Sequence, residues 1–236
     1  NLIPDERLDK KVLKTDIAFI RSLGDISIKT KQAMPEPAKL LRKGFKAVVV
    51  ATGLWSPIML GIENENLAVD NIRYLRTPAK FNVKGKSVAV IGGGAVATDC
   101  AVTAKLRGAK RVELFTLEKF SEMPLTARER DELLSEGIEL NGRIRVTRIL
   151  AKGRAITGIE TLKVSLPPKA AFNPRAIKDV KGTEQVRADF DYVIIAIGNR
   201  AAIRPGKEPR VFYAGDMANG PTTVVDFTAE DDPIVR

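Results

Sequence analysis

The sequence contains no histidine and a single cysteine, Cys100. A lone cysteine excludes a disulfide within the chain, an all-cysteine zinc or iron–sulfur site and a redox-active cysteine pair. Without histidine, the most common general base and zinc ligand are also missing. Any chemistry of this protein would therefore depend on a bound cofactor, which the protein binds and orients.

Long apolar runs are also absent, since no stretch of the 236 residues reaches the length of a membrane-spanning helix. The amino-terminal residues lack the basic, apolar and small-residue order of a signal peptide. Hydrophobic residues make up 44% of the chain, enough for the core of one large domain or two small ones. We expect a soluble, cytoplasmic protein with no membrane partner.

The formal net charge is +10, from 39 basic and 29 acidic residues. The basic residues are spread along the chain, without a nucleic-acid-binding motif or interleaved aromatic residues. A solvated surface that attracts phosphates and acidic partners explains this charge better than nucleic-acid binding. We therefore expect no nucleic-acid partner.

Strand and helix patterns alternate along the chain and predict a doubly wound α/β architecture. Residues 8–23 have helical spacing and stop at Gly24, and residues 26–31 alternate like a strand. Residues 45–53, FKAVVVATG, and 190–199, FDYVIIAIGN, read as continuous apolar strands buried on both faces, each ending in a small-residue turn. Because these two similar segments flank a glycine motif, they suggest two nucleotide-binding folds.

The segment after the glycine motif continues this alternation. It predicts a helix over 95–107 that ends at Gly108, a strand over 111–115 and a helix over 126–137. Residues 143–167 are rich in β-forming sequence, with turns expected at KGR and TG.

Residues 87–99 read SVAVIGGGAVATD and place a G-x-G-x-x-A motif between a strand and a helix. Gly92 permits the tight turn, Gly94 lets the backbone approach a pyrophosphate, and Ala97 lets the helix pack close to the sheet. The helix amino terminus would offer free N–H groups to the phosphates. This context favours a nucleotide-binding site over a fortuitous turn. The candidate site also includes Gly93, Ala95 and Val96.

The end of the second strand, VELFTLEKF, should contact the adenosine ribose. An acid there accepts a hydrogen bond from the 2′-hydroxyl of NAD, whereas arginine suits the 2′-phosphate of NADP. Glu113 lies within the strand and Glu118 just beyond it; neither is decisive, and Glu113 can equally be a solvent-facing strand residue. Lys119 can meet a phosphate, so the choice between NADH and NADPH stays open.

Three further residues are candidates for a structural or a functional role. We expect Cys100, among small apolar residues of the motif helix, to be buried and unreactive. Asp99 is either a first-turn acid stabilised by the helix dipole or a residue of the cofactor interface. In AGDMANGPTT, residues 214–223, Asp216 suits ribityl or ribose hydroxyls, and the following helix start suits a polarised ring. An ordinary turn would show the same residues.

Together these segments resemble the glutamate synthase small-subunit-like flavoproteins, and the resemblance covers nearly the whole chain. These are FAD- and NAD(P)-dependent oxidoreductases with two dinucleotide-binding folds. The resemblance is carried, in the family's order, by IPDERLDKKVLKTDIAFIRSLGDISIKT, FKAVVVATG, VAVIGGGAVATDCAVTAKLRGAKRVELF, EMP, EGIEL, ADFDYVIIAIGN and VFYAGDMANGPTTVVDFTAE.

The resemblance implies an NAD(P)-binding domain at residues 81–200, inserted in a partial FAD-binding domain at 1–80 and 201–236. Hydride would pass from the nicotinamide to FAD, and electrons would go onward to a larger synthase or another electron-accepting subunit. No catalytic side chain and no metal are implied. The NAD(P)H site would include Gly92, Gly93, Gly94, Ala95, Val96, Ala97, Thr116 and Gly198. The flavin would be contacted by Ala51, Thr52, Gly53, Gly215, Asp216, Thr222 and Thr223.

The chain also departs from the family pattern. The first glycine motif, which holds the FAD pyrophosphate, and a cysteine-rich iron–sulfur region are expected before residue 1 and are absent. Segment 198–216 is shorter than the resemblance leads us to expect. Segment 229–236 departs from the small-residue helix of the family. The paired arginines that suit NADPH are replaced by Thr116 and Leu117, and an asparagine after the glycines is replaced by Ala95.

These departures lead us to expect a fragment, a split subunit or an incomplete chain, which binds FAD only together with the missing half. One alternative is a nucleotide-binding module that docks onto a partner carrying the FAD half. Another is a degenerate structural relative.

Overall fold

The computed structural model describes residues 2–4, 7–33, 36–167 and 170–221. These residues form two compact units. The first unit contains the described residues up to Ser56 and those from Arg200 onward, and the second contains Pro57–Asn199.

The elements alternate in type, as the sequence predicts. The strands are β1 (Val48–Val50), β2 (Ser56–Pro57), β3 (Val69–Asp70), β4 (Ser87–Ile91), β5 (Arg111–Thr116), β6 (Glu139–Gly142), β7 (Ile144–Lys152), β8 (Ala155–Ser165), β9 (Lys178–Asp179), β10 (Gln185–Arg187), β11 (Tyr192–Ile195), β12 (Asn199–Arg200) and β13 (Val211–Tyr213). The α-helices are α1 (Lys10–Ser22), α2 (Pro37–Arg42), α3 (Asn71–Arg76), α4 (Ala95–Leu106), α5 (Ala127–Ser135) and α6 (Asp216–Asn219).

The second unit is built on a five-stranded parallel sheet in the order β3-β11-β4-β5-β6. One face of this sheet is covered by helices, and α4 packs on it through Ala97, Ala101 and Ala104, which are fully buried. Small side chains let the helix lie close to the sheet, as the glycine motif predicts. Helix α4 ends before Gly108, which has φ +86°. The α/β prediction and the predicted motif helix are confirmed.

The other face of the parallel sheet packs against an antiparallel sheet, ordered β10-β8-β7, with β9 paired to β8. Ile91 and Phe115 of the parallel sheet share a core cluster with Val146, Ile149 and Ile159 of β7 and β8. Both faces of β4 are therefore buried, as a continuous apolar strand predicts.

The β7–β8 hairpin confirms one predicted turn and corrects the other. Gly153, with φ +63°, lies in the connection between the paired residues Lys152 and Ala155, as KGR predicts. The prediction of a turn at TG is wrong, because Gly158 lies within β8, next to the point where the pairing of β8 with β7 shifts its register. A Cβ at Gly158 would overlap the backbone carbonyl of Arg187 in β10, so glycine is needed for close strand approach.

The first unit contains a two-stranded parallel sheet formed by β1 and β13. Val50 is 1% exposed, but Val49 and its partner Phe212 are 66% and 54% exposed. The prediction that this strand is buried on both faces is therefore wrong within the described residues. The strand expected at 26–31 is also wrong: these residues, all of which the structure describes, adopt no strand.

The compact units divide the chain at Ser56, whereas the predicted cofactor domains divide it at residue 80; the assignment of the domains to FAD and NAD(P)H stays a prediction. Strand β3 pairs with β11 of the parallel sheet, and α3 packs beside α4. Residues 57–80 therefore lie in the unit of the glycine turn. Their sequence position next to FKAVVVATG gave no sign of this, because the pairing partner of β3 is over 120 residues away.

The Tyr74 hydroxyl is buried without a hydrogen-bond partner among the described residues. Burial raises the pKa of Tyr74 well above its usual value, so the phenol stays neutral. The change Tyr74→Phe should raise the free energy of unfolding by about 1 kcal/mol, because it removes an unsatisfied polar group and keeps the ring that packs on Phe81. Urea denaturation measures this change; a destabilised variant would show that the hydroxyl has a bonding partner in solution.

None of the helices in the described ranges is long and apolar enough to cross a membrane.

Candidate nucleotide-binding site

Gly92 begins the turn at the carboxyl end of β4, and its conformation requires glycine. It has φ +144°, and a Cβ there would overlap the carbonyl oxygen of Ala196. The Gly92 N–H donates a hydrogen bond to the Phe115 carbonyl at 2.9 Å, which ties the turn to the end of β5. The tight turn expected from the sequence is therefore fixed by both neighbouring strands.

Gly94 lies at the N-cap of α4 and has quite different surroundings. Its φ of −100° and ψ of 177° lie in the extended region, which any residue can adopt. A Cβ on Gly94 would meet no atom within 4 Å. The protein fold alone thus does not require glycine here, whereas close approach of a ligand to the backbone would.

The first amides of α4 face the same turn. The Gly94 carbonyl accepts hydrogen bonds from the Ala97 and Thr98 N–H groups at 2.9 and 3.1 Å. The preceding amides, of Ala95 and Val96, belong to the first turn, where no intrahelical acceptor exists. Together with the open space at Gly94, this arrangement suits a dinucleotide pyrophosphate.

Thr116 and Gly198 lie at the same edge of the parallel sheet as the glycine turn. Thr116 is the last residue of β5 and is buried, and its hydroxyl donates a hydrogen bond to the Glu118 carboxylate. Gly198, with φ +105°, follows β11. All the residues proposed for NAD(P)H thus lie at the carboxyl edge of β4, β5 and β11, where open α/β sheets bind ligands.

Glu113 is neither solvent-facing nor placed to contact a ribose. Its side chain is 1% exposed and accepts hydrogen bonds from Arg187 at 2.7 and 3.2 Å and from Asn141 at 3.0 Å. The Arg111 Nε lies 3.2 Å from the same carboxylate. The interpretation of Glu113 as a solvent-facing residue is wrong, because β6 and β10 bring polar partners over β5.

Cys100 is fully buried, as expected. Burial, and then the charges of Asp99 and Asp70, raise the pKa of its thiol well above the usual value. The thiol therefore stays protonated and unreactive. Asp99 is half-buried in α4. Across the described ranges, no group of three or more histidine, cysteine or acidic side chains could hold a metal ion.

The residues proposed to contact the flavin lie in the first unit. Because β1 and β13 are parallel, their carboxyl ends lie at one edge, where the Ala214 N–H donates a hydrogen bond to the Val50 carbonyl at 3.0 Å. Ala51, Thr52 and Gly53 follow β1, and Gly215 and Asp216 follow β13. The structure thus brings these two turns together. Thr222 and Thr223 lie outside the described residues.

Many nucleotide-binding proteins share a parallel sheet with a glycine turn leading into a helix, so these features do not identify the family. Comparison with known families identifies it. The family model for pyridine nucleotide-disulphide oxidoreductases matches residues 12–208. The chain belongs to this family. Its members are oxidoreductases, which agrees with the cofactor dependence expected from the missing histidine and cysteine pair.

Three curated relatives illustrate the similarity. The NADP(+)-dependent formate dehydrogenase subunit beta of Moorella thermoacetica is 30% identical over 257 residues, which cover 97% of this chain and 36% of the relative. The glutamate synthase [NADPH] small chain of Escherichia coli (strain K12) is 24% identical over 271 residues, which cover 97% of this chain and 57% of the relative. The NAD-dependent dihydropyrimidine dehydrogenase subunit PreT of Escherichia coli O157:H7 is 26% identical over 247 residues, which cover 95% of this chain and 55% of the relative.

These relatives confirm the resemblance to the glutamate synthase small-subunit-like proteins. The chain spans only 36–57% of their lengths. Among solved structures, thioredoxin reductase of T. acidophilum superposes with a TM-score of 0.55 at 19% identity, over 76% of this chain and 60% of that one. This likeness confirms the fold class.

Proposed function

We propose that this chain is the nicotinamide-nucleotide-binding part of an FAD-dependent NAD(P)H oxidoreductase. The observation that carries the proposal is Gly94, a glycine that the fold does not require, with open space above it at the start of α4. Membership of a pyridine nucleotide-disulphide oxidoreductase family supports a redox role for the bound nucleotide. The turn Gly92–Gly94 and the start of α4 would hold the nucleotide, whose chemistry, once FAD is also bound, would be hydride transfer to the flavin; the residues of this chain would bind and orient the cofactors.

The first unit is proposed to hold part of the FAD. Ala51–Gly53 and Gly215 give two close backbone turns at one sheet edge, and the Asp216 carboxylate can accept hydrogen bonds from ribityl or ribose hydroxyls. These residues do not include a glycine motif for the FAD pyrophosphate, and we propose that the polypeptide which supplies this motif completes the FAD site.

The exposed face of β1 and β13 supports this proposal of further polypeptide. Parallel sheets normally have both faces covered, yet Val49 and Phe212 are more than half exposed on a sheet for which the structure describes two strands. We propose that the rest of the FAD-binding fold completes this sheet, in the same protein or in a partner.

The electron acceptor is proposed to be another subunit, such as a larger synthase. Two relatives are named as subunits and one as a small chain, which supports assembly with partners. The glutamate synthase role, the cytoplasmic location and the absence of nucleic-acid binding stay predictions.

Purification of the complete protein tests the proposed function. It should retain FAD, seen as visible absorbance, and anaerobic addition of NADH or NADPH should bleach that absorbance. The variant Asp216→Ala should lower FAD content while leaving NAD(P)H binding intact, because Asp216 lies in a different unit from the glycine turn. A complete protein that neither binds added FAD nor bleaches on addition of NAD(P)H would refute an oxidoreductase of this type.

The exposure of Val49 and Phe212 among the described residues also favours a second candidate, a nucleotide-binding subunit whose FAD half is on a separate polypeptide. In that case the complete protein binds NADH or NADPH, measured by calorimetry, but neither retains FAD nor oxidises the nucleotide by itself. Stable FAD binding by the complete protein alone would exclude this second candidate.

A further inference from the structure

The carboxylate of Glu118 lies over the middle of the glycine turn. The Thr116 hydroxyl donates a hydrogen bond to Glu118 Oε2 and accepts one from the Glu118 backbone N–H at 3.2 Å. A Cβ built on Gly93 would come within 2.7 Å of Glu118 Oε2 and would overlap the Thr116 hydroxyl. A side chain at position 93 would therefore displace the Glu118 carboxylate or the Thr116 hydroxyl, and the acid is positioned by a buried threonine.

The backbone that carries Glu118 is held by Arg143. The Arg143 N–H donates a hydrogen bond to the Glu118 carbonyl at 3.1 Å, and its Nη1 donates one to the Leu117 carbonyl at 2.7 Å. Its Nη2 pairs with Glu122 at 2.7 Å. The guanidinium of Arg143 is thus directed to protein acceptors, although a 2′-phosphate site would need such a cation.

We propose that Glu118 is the specificity-determining residue of the site and selects NADH over NADPH. This inference rests on the proposed nucleotide site at the glycine turn. An acid at the end of the second strand accepts a hydrogen bond from the 2′-hydroxyl of the adenosine ribose, and its charge repels a 2′-phosphate. Within the described residues, Thr116 donates to Oε2 of Glu118 and no side chain donates to Oε1, which leaves Oε1 for the ribose hydroxyl.

This selectivity would separate the chain from two of its relatives, whose names specify NADP(+) or NADPH. The paired arginines expected for NADPH are replaced in this sequence by Thr116 and Leu117. Glu113, the other candidate for the ribose acid, is occupied by Arg187 and Asn141. Glu118 is therefore the acid at the end of β5 that is left to read the ribose.

Dissociation constants of NADH and NADPH, measured by calorimetry on the complete protein, test the proposal. The unmodified protein should bind NADH at least about tenfold more tightly than NADPH. The variant Glu118→Gln should reduce this ratio to within about threefold, and Glu118→Arg should reverse it. The matched control Glu184→Gln, which removes an exposed carboxylate just before β10, should leave the ratio unchanged.

The outcomes separate this inference from the proposed function. If the unmodified protein binds NADPH as tightly as NADH, or if Glu118→Gln leaves the ratio unchanged, Glu118 does not select the nucleotide and the nucleotide site itself stands. If the folded protein binds neither nucleotide, both proposals fail. Melting temperatures of the variants show that the compared proteins are folded, and the ratio of the unmodified protein is decisive by itself.

Discussion

Replacing Gly94 with valine should abolish NAD(P)H binding and leave the fold intact. The φ and ψ of Gly94 are extended, a conformation that β-branched residues adopt readily, and a Cβ there meets no protein atom within 4 Å. The added methyl groups would occupy the space proposed for the pyrophosphate. Calorimetry should show affinities for both nucleotides weakened by about 100-fold or more, equivalent to about 2.7 kcal/mol.

Two other glycines provide controls for this experiment. Gly24 also has unstrained φ and open surroundings, so Gly24→Val should change neither nucleotide affinity nor folding. Gly92→Ala should instead lower the free energy of unfolding by about 1–3 kcal/mol, since it combines a strained φ of +144° with overlap at the Ala196 carbonyl. Unchanged nucleotide affinity in a folded Gly94→Val protein would place the nucleotide elsewhere.

Removing the Arg187 guanidinium should strongly destabilise the second unit. Glu113 is 1% exposed, and Arg187 donates two hydrogen bonds to it; this pairing raises the pKa of Arg187 above its usual value. In Arg187→Met the carboxylate stays buried with only Arg111 and Asn141 as partners. We expect the free energy of unfolding, measured by urea denaturation, to fall by about 3 kcal/mol.

A matched pair of variants separates burial of the charge from loss of packing. The double variant Glu113→Met with Arg187→Met should recover most of the lost stability, because no uncompensated buried charge remains. Asp189 also contacts Arg187, at 3.4 Å, but its side chain is 44% exposed, so Asp189→Asn should cost less than about 1 kcal/mol. A double variant as unstable as Arg187→Met would show that packing of the arginine stem, and not the buried charge, is what matters.

The elements that sequence reasoning predicted correctly are those whose signals are local. Strand β4, the glycine turn and α4 follow one another within about twenty residues, and each has its own pattern of apolar, glycine or alanine residues. The capped ends of α4 and α5 were also predictable, because Gly108 and Gly137 supply the left-handed conformation after each helix.

The errors concern residues whose environment is set by distant parts of the chain. Residues 26–31 alternate like a strand but find no pairing partner among the described residues. Gly158 looked like a turn residue because its reason for being glycine, the backbone of Arg187, is 29 positions away. In each case the short sequence pattern was compatible with two local structures. Which of them forms depends on whether a distant strand pairs with the segment.

The sequence by itself determined the α/β class, the glycine turn and the family, because short-range patterns specify a strand, a tight turn and a helix in succession. Only the tertiary structure decided the roles of the two acids of VELFTLEK. Strands β6 and β10 cover Glu113 with Asn141 and Arg187, whereas Thr116 holds Glu118 over Gly93. Burial and hydrogen bonding of an acid depend on what packs against its strand, and those partners lie far away in the sequence.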